Sequence, residues 1–130
     1  MGATSELQLR DVYLHRAVAY MLACLPDRRL VGKRAALHRA FYDIATKHPD
    51  LLPGIAFSDR SSAPYSKTLE RVLFGLASSR LIAYLNPSYE YMWMSPEASD
   101  RIKLKYGREL ADKAADLEKA AEILATQLAV

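Results

Sequence analysis

Apolar positions in the first part of the chain recur at helical spacing. Leu7, Leu14, Val18, Met21 and Leu25 follow one another at intervals of three, four or seven residues. Ser5 and Gln8 stand at the S-x-x-Q separation of a capping box and Pro26-Asp27 stops the run, which predicts a first helix over about 6–25. After a basic connection, Arg28-Arg29-Leu30-Val31-Gly32, a second helical period carries Leu37, Ala40, Phe41 and Ile44. It ends near Lys47, because the residue before Pro49 avoids the helical region. From Pro49 to Pro64 the sequence holds three prolines, one glycine and the cluster Ser58-Asp59-Arg60-Ser61-Ser62, so a loop is expected, pinned to the core by Leu51, Leu52, Ile55 and Phe57.

A third helix follows Pro64-Tyr65, with Ser66 as its cap. Leu69, Val72, Leu73 and Leu76 lie on its inner side, and Lys67, Glu70, Arg71, Ser78 and Ser79 on the other. Two short runs rich in aromatic and aliphatic residues, 81–85 and 89–94, are separated by Asn86-Pro87-Ser88 and predict a β-hairpin. Ser95-Pro96-Glu97 then combines a capping hydroxyl, a proline at the first helical position and an acid in the first turn. The periodicity of Ile102, Tyr106, Leu110, Ala114, Leu117, Ala121, Leu124 and Leu128 carries that helix as one rod nearly to the end, and from Leu110 onward it is a seven-residue repeat.

With 130 residues, 51% of them hydrophobic and 25% charged, the chain is sized for a single domain, 1–130, and has no room for two. The longest apolar stretch, 17–25, falls well short of the roughly 20 residues of a membrane span. The first residues lack the basic start and apolar stretch of a secretory signal, so a cytoplasmic protein is expected. The lone cysteine, Cys24, permits no internal disulfide and is expected to be buried. Net charge is +3, spread as +3 over residues 1–50, +2 over 51–80 and −2 over 81–130, so the basic surplus lies in the first 80 residues.

Helix, helix, loop, helix, two-stranded ribbon, long helix is the element order of a winged helix-turn-helix, a mainly α fold with a small β-hairpin, here extended by a long C-terminal helix. The segment Ala63-Pro64-Tyr65-Ser66-Lys67-Thr68-Leu69, continuing to Gly75-Leu76 and ending Ser79-Arg80-Leu81-Ile82, resembles the G-P-Y-S-x-x-L…G-L-I stretch of small bacterial winged-helix and antitoxin-like domains. Met94-Ser95-Pro96-Glu97-Ala98 is similar to the L-T-x-x-G that ends the wing in MarR and PadR-type regulators. Ala63, Arg80 and Ala98 stand where those patterns have glycine. The resemblance implies a dimeric protein that binds double-stranded DNA and regulates transcription. It puts Ser66, Lys67, Arg71, Ser78 and Arg80 at or near the major groove, and Asn86, Ser88 and Tyr89 at the wing tip. Glu70 is an awkward neighbour there, since a carboxylate is repelled by phosphate unless it accepts from a cytosine amine.

Arg28, Arg29, Lys33, Arg34, His38 and Arg39 form the densest basic patch. Arg28, Arg29, Lys33 and Arg34 are candidate phosphate contacts, set against the plain alternative of a solvated surface. Arg101, Lys103, Lys105 and Arg108 alternate around a helix and suit solvation. Tyr89, Tyr91 and Trp93 have the chemistry to stack on bases, although strand aromatics at period two more often form the packing face of a ribbon. His15, His38 and His48 lie apart with no cysteine or acid at ligand spacing, and no phosphate loop or nucleophile elbow occurs, so neither metal, cofactor nor enzyme activity is expected. The leucine stripe Leu110, Leu117, Leu124 and Leu128, within the helix expected over 96–130, must be covered either by the first helix or by a second subunit, and predicts a homodimer. A second class of function stays open: a protein-binding, antitoxin-like or complex-assembly subunit on the same frame.

Overall fold

The computed structural model describes the backbone of residues 2–25, 29–31, 34–58, 64–85 and 91–128, and the side chains of 12–25, 35–58, 64–83 and 92–128. Helix α1 spans Gly2–Ala23 and α2 spans Arg34–Lys47. They are followed by α3 (Lys67–Ser78), a hairpin of β2 (Ala83–Leu85) and β3 (Tyr91–Trp93), α4 (Pro96–Leu110), a 3-10 turn (Ala111–Lys113) and α5 (Ala114–Leu128). The fold is mainly helical. Among the described residues no helix is long and apolar enough to cross a membrane.

Helix α1 is the centre of the molecule. Ala17 to Ala23 are seven consecutive buried residues, which one helix face cannot supply. The helix is therefore surrounded, with α3, α4 and α5 all packed against it. The approach to α4 is close at Gly107, where an added Cβ would lie in van der Waals contact with the Tyr20 ring, 3.4 Å away. Two polar contacts fix the same pair: Arg16 to Glu109 at 3.0 Å, and the buried Ser99 hydroxyl donating to the Ala23 carbonyl at 2.7 Å. The second satisfies one of the carbonyls that the end of α1 leaves without a helical partner.

The chain departs from the sequence reading at its start, where α1 already runs from Gly2 and Ser5 lies inside the helix rather than capping it, and in two later parts. The basic connection is partly strand: Arg29–Val31 forms β1, which pairs antiparallel with β3 (Arg29 opposite Trp93, Val31 opposite Tyr91). The sheet thus has the order β1-β3-β2. The predicted C-terminal rod is broken at Ala111, whose φ of 42° lies in the left-handed region. With ψ at −100° it is not the left-handed helical conformation, and it costs an alanine about 1–3 kcal/mol. The break lets α5 leave the line of α4 and pack against α2 as well as α1. Leu117, Leu124 and Leu128 on α5 become fully buried, outweighing the cost at about 1.5–3 kcal/mol each.

The loop after α2 is held as expected by Leu51 and Leu52, both buried, with Ile55 and Phe57 half-buried against the core. The Tyr13 hydroxyl also donates to the Leu51 carbonyl at 2.9 Å, and Lys113 Nζ to the Asp50 carbonyl at 2.7 Å. Cys24 is half-buried rather than buried, and burial together with the Glu118 carboxylate pushes its thiol above the usual range.

Candidate nucleic-acid interface on helix α3

Ser66 starts α3 from an extended conformation, and its hydroxyl accepts from the Leu69 N–H at 3.1 Å. Leu69, Val72, Leu73 and Leu76 turn inward. At 100° per residue the positions left facing solvent fall on one narrow stripe: Lys67, Arg71, Phe74 and Ser78 lie within about 60° of one another and span about 16 Å. All four are exposed, Phe74 by 74%.

The end of α3 has a defined geometry. Arg80 N–H donates to the Ala77 carbonyl at 3.0 Å and Leu81 N–H to the Leu76 carbonyl at 2.9 Å, the bond pair of a Schellman motif. Such a motif needs a left-handed residue, and Arg80 fills that place with φ 62°. Glycine would adopt it without strain. An exposed arginine is held there instead, at the C-terminal end of the stripe.

Helix α3 is oriented from α2 by His38. This residue belongs to the densest basic cluster of the sequence, yet it is buried. Its Nδ1 accepts from the Ser66 N–H at 2.9 Å, which requires a lone pair there and puts the ring hydrogen on Nε2, facing Glu70 Oε2 at 3.4 Å. The ring stacks on Tyr65 at 4.6 Å. Tyr65 is itself bridged to Ser58 by two backbone hydrogen bonds of 2.8 and 3.0 Å. His38 thus holds the cap of α3, and Glu70 lies half-buried beside its Nε2 at the edge of the exposed stripe.

The expected site residues therefore separate. Lys67, Arg71 and Arg80 are exposed on or beside one face, together with Ser78. Ser66 is fully buried and engaged at both its backbone N–H and its hydroxyl, so it positions the helix and has no surface to offer a ligand. Arg28, Lys33, Asn86, Ser88 and Tyr89 lie outside the described residues; Arg29 is placed on β1 and Arg34 at the start of α2 by their backbones alone. In the ribbon the buried face belongs to Met92 and Met94, while Trp93 is exposed, so the packing-face expectation fails for Trp93.

Leu110, Leu117, Leu124 and Leu128 are all buried within their own chain. Of the two covers that the sequence allowed, the chain supplies its own: α5 packs on α1, and on α2, which was not foreseen. Phe74 escaped the sequence reading, although its spacing carried the signal, seven residues after Lys67 and three after Arg71.

Beside the stripe, His15, Thr68, Arg71 and Val72 line a cleft of about 150 Å³ between α1 and α3. Burial, and secondarily the Arg16 charge, holds His15 below the usual imidazole range. Among the described residues no cluster of histidine, cysteine and acidic side chains could hold a metal ion. Comparison with known proteins finds no matching family model, curated protein or solved structure.

Proposed function

We propose that this chain is a winged-helix DNA-binding protein, acting as a transcription regulator, which lays α3 in the major groove and brings the β2–β3 ribbon to the flanking backbone. The observation that carries the reading is the exposed stripe Lys67, Arg71, Phe74 and Ser78, ended by Arg80, with Glu70 half-buried to its side near His38. The element order and the β1-β3-β2 sheet support it, since a helix with an exposed outer face followed by a β-ribbon is the order that a winged helix uses. Lys67, Arg71 and Arg80 contribute salt-sensitive phosphate contacts. Two such modules would read half-sites about one helical turn apart. Because the α5 leucines are spent within the chain, a homodimer would pair through another surface.

The test is titration of genomic duplex fragments at two salt concentrations. Binding should weaken with salt, and Lys67→Glu and Arg71→Glu should each weaken it further; no binding at low salt refutes the reading. A protein-binding role, antitoxin-like or in complex assembly, is favoured by a different observation. The outer face of α5 exposes Asp116, Glu118 and Glu122 against one cation, Lys119, which suits a basic protein partner. Indifference of duplex binding to both charge reversals, with loss of partner binding on neutralising those acids, would select it.

A further inference from the structure

Resting on the duplex-binding reading, we infer that Phe74 is a specificity residue that packs against the 5-methyl group of a thymine in the major groove. Phe74 is the most exposed large apolar side chain among the described residues, at 74%, followed by Leu104 on α4 at 63%. It projects from the centre of the α3 stripe, between Arg71 and Ser78 and flanked at the two ends by Lys67 and Arg80. A helix with cations at its ends and an aromatic ring at its middle matches the major groove, where phosphates border base edges and the one apolar group on those edges is the thymine methyl. Phenylalanine has no donor or acceptor with which to read any other base edge.

The charge pattern selects this occupant over a protein. An apolar anchor for a protein surface is usually set among further apolar residues, whereas every other stripe position here is a cation or a serine. The side chains that would lend Phe74 apolar neighbours on its own helix, Leu69, Val72, Leu73 and Leu76, are all turned inward.

In vitro selection from a random duplex library defines the site, and anisotropy titrations then compare that duplex with versions in which single thymines are replaced by deoxyuridine, which deletes the methyl and leaves pairing intact. At one position the replacement should weaken the wild-type protein about fourfold, the factor that burial of one methyl-sized group gives. Phe74→Ala should bind thymine and deoxyuridine duplexes equally at that position while keeping its salt dependence. The exposed site makes the variant's fold secure, and its thermal melt checks this. If no deoxyuridine replacement weakens the wild type, or if Phe74→Ala still distinguishes the two duplexes, the thymine contact is overturned while the duplex-binding reading stands. If no duplex is selected at low salt, that reading falls and the inference with it.

Discussion

Arg80 is the position where fold and function pull apart most measurably. Its backbone is left-handed at φ 62° because the Schellman closure of α3 demands it. The conformation costs a residue with a Cβ about 1–2 kcal/mol, and replacement by glycine returns that cost less the extra entropy of a glycine in the unfolded chain, about 0.5–1 kcal/mol. Arg80→Gly should therefore stabilise the protein by about 0.5–1 kcal/mol. With unfolding entropies near 2.1 cal/mol/K per residue over 130 residues, the gain corresponds to a rise in Tm of about 2–4 °C. The same substitution removes a cation beside the α3 stripe, so duplex affinity should fall, and the slope of log affinity against log salt should shrink by about 0.9 for one lost phosphate contact. Arg80→Ala separates the two effects, since it keeps the Cβ and the strain: its melt should stay near wild type while its salt slope matches that of the glycine variant. Calorimetric melts and salt-dependent anisotropy measure both halves. An Arg80→Gly protein melting at or below wild type would refute the backbone argument, and an unchanged salt slope would refute the phosphate contact.

Three further outcomes follow from the packing. Ser99→Ala strips the Ala23 carbonyl of its buried donor and should cost about 1–3 kcal/mol in urea unfolding; a neutral variant would mean that the α1–α4 contact does not depend on that bond. Leu124→Ala, deep between α5 and the helices it packs on, should cost about 2–5 kcal/mol. Because that burial is intramolecular, the loss should be the same at low and high protein concentration, and a concentration-dependent loss would return the stripe to a subunit interface. For His15, the folded chain resists a proton that the unfolded chain accepts at about pH 6.5. Its contribution is thus fully present above that pH and declines as the pH falls towards the lowered folded value. The stability difference between wild type and His15→Gln should change only in that acid window; a difference constant across pH would exclude the linkage.

The sequence made the capped helices legible. Ser66 and Ser95-Pro96 are local signals, and both open helices where they stand. The hairpin also followed from local composition, and the inward face of α3 from spacing. What stayed hidden was decided over long separations. β1 is three residues whose ladder partner is β3, some sixty positions on, and nothing nearby marks it as a strand. His38 looked like one more cation because its partners, Tyr65, Ser66 and Glu70, lie beyond a long loop. The break at Ala111 carries no glycine, proline or asparagine, and the leucine repeat runs across it unbroken. It is the packing of α5 on α2 that bends the chain there, a gain no local pattern records.

In a helix-turn-helix with a three- or four-residue turn, the turn itself sets the angle between the helices. Here the imidazole of His38 bonded to Ser66 N–H performs that task from inside the core, and the bridge of Ser58 to Tyr65 closes the base of the intervening segment. A small change at His38 would therefore swing the entire helix without altering any of its outward side chains.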